Sequence, residues 1–202
     1  MSQIKLLHSG GNGVILSAPD SNPASDRTLK LPGDGDGTVD TLNRAGNIIQ
    51  VVSTTKNDTV SQSIASNSAW SYTGFKTTIT PTSASSKLLI FGYANVDVGD
   101  SSTFLYLEKN GSYLFDAMGD AAGSRKRAVT NITGNGAGWN QIQHSFQFLD
   151  TAGDTSERYY NLAIGHGRNA AVNIFMNRSS NDTDAYYQFR TQSTITVMEI
   201  AA

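Results

Sequence analysis

Between Gln141 and Phe148 polar and apolar side chains alternate without a break. Gln141, Gln143, Ser145 and Gln147 fall on one side of an extended chain, and Ile142, His144, Phe146 and Phe148 on the other. A period of two separates these residues only in a strand with one wet and one buried face; a helix of 3.6 residues per turn mixes them. Tyr160, Leu162, Ile164 and His166 repeat the pattern. Lys87-Leu-Leu-Ile-Phe91 is apolar on both parities, and so is the last stretch, where Ile195 and Val197 stand opposite Thr196, Met198 and Ile200. Those two segments read as strands enclosed on both faces, and an oligomer would cover the second.

From Asn47 onward the same reading gives strands over 48–55, 70–80, 87–98, 104–109, 112–117, 128–133, 141–149, 158–164, 172–176 and 186–200. Asn110-Gly111 separates two of them and fits a type I′ hairpin turn, which needs two residues at positive φ. Composition agrees. Three of the 202 residues are glutamate, while Ser, Thr, Asn and Gly make up about two-fifths of the chain, a usage that suits turns and polar strand faces and starves surface helices. The expectation is an all-β chain with an antiparallel, jelly-roll-like β-sandwich body over 47–202. Residues 1–46, with short apolar pieces at Ile4–Leu7, Val14–Leu16 and Thr28–Leu31, are too interrupted to enclose a core and read as an extended or β attachment arm.

Cysteine is absent, so no disulfide or thiolate site holds this fold. A net charge of −2 supplies no general attraction to nucleic acid or an anionic membrane. No apolar run reaches the ~18 residues of a membrane span, and Met1–His8 lacks the apolar stretch of a signal peptide, so a soluble compartment without membrane insertion is expected.

Each residue that suggests chemistry also has a plainer reading. His8, His144 and His166 are the only imidazoles; His144 and His166 fall on apolar faces, where they form either a metal or protonation site or hydrogen-bonded core. Asp34-Gly-Asp36-Gly resembles half a calcium loop but lacks its other acidic ligands, and reads as a solvated turn. Arg125-Lys126-Arg127 suits the anionic groups of a surface polysaccharide, or else protects a sheet edge. Trp139 offers either a sugar-binding platform or core packing. The aspartates cluster in polar loops, and no nucleophile elbow, phosphate loop or His-Glu-X-X-His occurs, so no enzyme activity, cofactor or metal is expected. The longest polar, glycine-rich connections are 95–103, 118–127 and 134–139, and loops on a rigid scaffold are where recognition tends to sit.

Four collinear stretches carry a resemblance: Gly46–Thr55, Ile79–Ile90, His144–Asp150, and the ending formed by Asn177–Ala185 with Ser193–Ala201. Together they resemble a family of bacteriophage fibre and virion structural proteins common in marine phages, and the arm's Arg27-Thr-Leu-Lys-Leu-Pro32 resembles phage fibre sequence. The resemblance implies a homotrimeric β-sandwich head carried on an N-terminal segment that joins other virion proteins, in a particle assembled in host cytoplasm. The implied role is a short tail fibre or receptor-binding protein attaching to host surface glycan; the alternative is a capsid decoration or head-fibre protein.

Overall fold

In the computed structural model, residues 3–7, 9–11, 13–17, 44–98, 102–132 and 138–202 are described. His8, Asp34, Asp36, Arg27–Pro32, and residues 99–101 and 134–137 of the polar, glycine-rich connections lie outside them. The chain divides into two units, Met1–Asp40 and Thr41–Ala202. In the first, β1 (Gln3–Leu7) and β2 (Gly13–Ser17) form an antiparallel ribbon with Gln3 opposite Ser17 and Leu7 opposite Gly13.

The second unit is the body. Its strands are β3 (Ile48–Lys56), β4 (Val60–Ile64), β5 (Ala69–Ile79), β6 (Lys87–Val98), β7 (Thr103–Lys109), β8 (Ser112–Tyr113), β9 (Thr130–Ile132), β10 (Ile142–Thr151), β11 (Arg158–His166), β12 (Val172–Met176) and β13 (Ser193–Ile200). One 3-10 turn, Phe115–Ala117, interrupts them, and no α-helix occurs among the described residues. Two antiparallel sheets pack face to face as a β-sandwich. In the first sheet β6 is central. β10 runs along one side of it, while β13 and β12 lie end to end along the other; β3 flanks β13 and β4 flanks β12. The second sheet has the order β5-β11-β7, with β8 and β9 end to end on the far side of β7.

Alternation decides what lies between the sheets. Leu88, Ile90, Ala94, Val96 and Val98 of β6 and Ile195 and Val197 of β13 face Leu105 and Leu107 of β7, Tyr160, Leu162 and Ile164 of β11, and Phe75 and Ile79 of β5. The hairpin turn forms as expected, with Asn110 and Gly111 at φ 53° and 77°. β4 escaped the sequence reading because two apolar residues in five give too short a pattern. The stretch expected from 186 becomes a strand only at Ser193. Residues 112–117 pair only over Ser112–Tyr113 before the 3-10 turn.

Two buried polar clusters join elements that the sequence holds far apart. Asn177 sits at φ 59° where β12 ends and β13 begins. Its amide donates to the carbonyls of Lys56 and Asp58, both at 2.9 Å, its oxygen accepts from the Ser193 hydroxyl at 2.7 Å, and its own N–H reaches Asn95. At the other end of β13 the buried Glu199 carboxylate accepts from the Thr82 N–H and hydroxyl, each at 2.8 Å, and from the Gln50 amide. Burial opposes ionisation of Glu199, but the hydrogen bonds from Gln50 and Thr82 outweigh it and hold the carboxyl below its ordinary value.

The expectation that the aspartates cluster in polar loops is corrected for Asp97 and Asp150, which lie on β6 and β10. Asp97, Glu108 and Glu199 are buried on strands, and Asp150 of β10 accepts from Tyr160 at 2.6 Å and Lys109 at 2.8 Å. A short polar residue inside an alternating strand is invisible to periodicity when its partners come from other strands.

Candidate functional site

Trp139 and the segment Asn177–Gln192 build the most exposed aromatic surface among the described residues. Trp139 is 44% exposed, Tyr187 47%, Phe189 64% and Tyr186 95%. Trp139 meets Tyr187 edge-on with ring centroids 5.7 Å apart, and Tyr187 meets Tyr186 at 5.2 Å and 80°. Edge-to-face packing covers part of each pair while leaving these four side chains between 44% and 95% exposed, the largest such aromatic group among the described residues.

The segment lacks regular structure yet is fixed along its length. The Asp97 carboxylate accepts the Ser180 N–H at 2.7 Å. The Asn181 N–H donates to the Gly138 carbonyl at 3.1 Å, which ties the segment to the residue just before Trp139. Gly138 has φ +69°, and a Cβ there would stand 3.2 Å from the Ser180 hydroxyl, so the close approach needs glycine. Gln141 binds from the other side of Trp139: its amide donates to the Phe189 carbonyl at 2.7 Å, and its oxygen accepts from the Thr191 hydroxyl. Ser179 donates to Gln188, and Gln192 reaches the Tyr93 hydroxyl at 3.1 Å.

Beside the aromatics one carboxylate serves two guanidinium groups. Asp182 pairs with Arg178 and, at 2.7 Å, with Arg190. Arg178 also donates to Ser61 at 2.7 Å and lies over the Phe175 ring. Arg190 stays more than half exposed, next in sequence to Phe189. Its hydrogen bonds with Arg178 and Arg190 hold the Asp182 carboxyl below its ordinary value, against the opposing effect of desolvation. With the exposed Asp184 counted, the two guanidinium groups and two carboxylates of residues 177–192 balance, and Arg190 is the more exposed of the two cations.

The other expected site residues lie elsewhere. Arg125-Lys126-Arg127 belongs to the excursion between β8 and β9. Arg127 braces that excursion, donating to the carbonyls of Gly119 at 2.7 Å and Phe115 at 2.8 Å with its guanidinium over the Phe115 ring. Arg125 donates to Ala122 at 3.4 Å, and Lys126 is exposed. Trp139 and the cationic run are thus held by separate sets of contacts. Trp139 is an exposed platform rather than core, whereas Arg127 is committed to its own loop.

His144 and His166 are buried on strands of opposite sheets. Burial pushes the His144 pKa down, and its Nε2 is enclosed without a hydrogen-bond partner. No group of three or more His, Asp or Glu side chains among the described residues is placed to hold a metal ion. No helix among the described residues is long and apolar enough to cross a membrane.

Tyr186, Tyr187, Phe189 and Arg190 were not legible as a surface, because Tyr-Tyr-Gln-Phe-Arg also suits a strand leading into β13. The available signal was the absence of Val and Ile from 186–192 together with the turn-forming Asn181-Asp-Thr-Asp184 before it. The chain matches no protein-family model and no curated protein.

Proposed function

We propose that this chain is a bacteriophage virion structural protein, a short tail fibre or receptor-binding protein that attaches to host surface glycan. The observation that carries this reading is the cluster of Trp139, Tyr186, Tyr187 and Phe189, exposed and yet pinned by Asp97, Gly138 and Gln141. The C–H faces of a pyranose ring pack on aromatic faces, and a platform fixed before binding loses little entropy when it binds. The half-exposed Arg190 guanidinium, next in sequence to Phe189, can pair with the carboxylate or phosphate of an acidic saccharide. The resemblance of the four collinear stretches to phage fibre proteins supports the same reading, as does a β-sandwich with recognition residues outside its strands.

In this proposal the body is a homotrimer, the N-terminal segment joins it to other virion proteins, and the chain has no catalytic role. Antibody raised against the body and viewed on intact particles tests the placement: label at the tail is expected, and label spread over the capsid would replace this role with that of a decoration or head-fibre protein.

A further inference from the structure

The outward face of the six-stranded sheet breaks the alternation that its inward face obeys. An antiparallel sheet with one wet face carries polar residues there. β10 does so with Gln143, Ser145 and Gln147, and β13 with Thr194 and Thr196. One transverse row is different. Leu149 of β10 stands opposite Leu89 of β6, Leu89 opposite Met198 of β13, and Met198 opposite Val51 of β3, so that four apolar side chains cross four strands in register. Ile200 and Ile48, paired across β13 and β3, extend the row on one side, and Phe91 extends it on the other. Leu149 and Val51 are each 52% exposed, and Ile48 53%.

The outward face of the other sheet, by contrast, covers itself. Phe104 lies against Gly165, whose Cβ would fall 2.1 Å from that ring. Tyr106 stacks on Tyr113 at 4.4 Å, over a sheet in which Asn161 and Glu108 are already buried.

We infer that the outward face of β10, β6, β13 and β3 is the contact surface between copies of this chain, with the row Leu149-Leu89-Met198-Val51 at its centre. The inference rests on the assembly proposed above and names its interface. Two properties favour a second copy as the occupant. The row on one side joins Gln147, Thr196 and Ser53 to Phe91, and the row on the other joins Thr151 and Lys87 to Ile200 and Ile48; Lys87 is the one charged side chain facing outward between Lys87 and Tyr93 of β6, so like faces repel little and a strongly charged partner would find few counter-charges. The area also suffices: four strands about 4.8 Å apart and about nine residues long present on the order of 550 Å². Three such faces meeting about the axis of the proposed trimer bury on the order of 1,650 Å² in all, more than the ~800 Å² of most crystal-packing contacts.

The test is the mass of the full chain in solution for the wild type, the double variant Val51→Asp/Leu149→Asp, and the control Thr78→Asp on the outside of the other sheet. Both charged positions are half exposed in the single chain, so circular dichroism should show an unchanged fold. The expected result is an oligomer for the wild type and the control and a 21.6 kDa monomer for the double variant. A wild-type monomer at tens of micromolar overturns the assembly and the interface together. A wild-type oligomer that survives the double variant, or that Thr78→Asp dissociates equally, overturns the interface and leaves the assembly standing. Because the chain has no cysteine, Met198→Cys gives a second reading: oxidation should link copies through that position, and unlinked chains from an oligomeric variant overturn the assignment.

Discussion

Asn177 shows how much one side chain can hold. Two strands meet end to end along β6, and the gap between them exposes backbone carbonyls that no ladder satisfies. An asparagine tolerates positive φ and carries both a donor and an acceptor group, which suits it to this place. Asn177→Ala strips buried partners from Lys56, Asp58 and Ser193 and should lower unfolding stability by about 2–4 kcal/mol, measured by urea denaturation. A loss below roughly 0.5 kcal/mol would contradict the role assigned to it.

Two other residues set the acid limb of stability. His144 has its folded pKa pushed down by burial, so the folded state binds its proton less readily than the unfolded chain does. Its contribution is whole above the ordinary histidine value of about 6.5 and is lost as pH falls from there through the lowered folded value. Glu199, also lowered, behaves in the same sense further down: its contribution is whole above about 4.3 and is lost as pH falls through the folded value. Melting curves from pH 8 to 3 should therefore decline in two stages. His144→Leu should remove the upper stage and Glu199→Gln should weaken the lower, which Asp182 shares; profiles unchanged in these variants would refute the assignment.

At the scale of elements, period-two patterning made the central strands legible. β6 and β12 occupy the expected residues, and the inward face of β10 carries His144 and Phe146 as alternation requires. Segments organised by side-chain contacts between distant residues were not legible. The span 177–192 is held by Asp97, Gly138 and Gln141, none of them near it in sequence, and within Tyr186–Gln192 only the absence of Val and Ile sets the segment apart from a strand. For the site, Trp139 could be named with two readings, but its aromatic neighbours and Arg190 could not. Of the cationic run, Arg127 proved to brace its own loop.

Gln141 is the lever at this scale, because it joins the strand behind Trp139 to Phe189 and Thr191. Gln141→Ala should leave the β-sandwich melting within a few degrees of wild type while increasing hydrogen exchange across 186–191. Unchanged exchange would show that the segment is held without it.

At the scale of the molecule, the first described residues of the body pair with its last. Gly46 donates to the Ala201 carbonyl at 2.8 Å, and the Ala201 N–H returns to Asn47 at 2.9 Å. A chain beginning at Thr41 should therefore fold with a cooperative transition close to that of the whole protein. Loss of that transition would show that residues 1–40 contribute to the body's core.

Polar strand faces on the first sheet, an apolar row across it, and exposed aromatics outside the strands are what the proposed attachment role draws on. The most direct measurement of that account is intrinsic tryptophan fluorescence of the full chain titrated with polyuronate oligosaccharides and, in parallel, with neutral dextran oligosaccharides. A saturable shift with the acidic series, weaker with the neutral one, lost in Tyr186→Ala/Tyr187→Ala and weakened by salt and by Arg190→Gln, is the predicted result. No shift with either series, or one that persists unchanged in the double alanine variant, would contradict it.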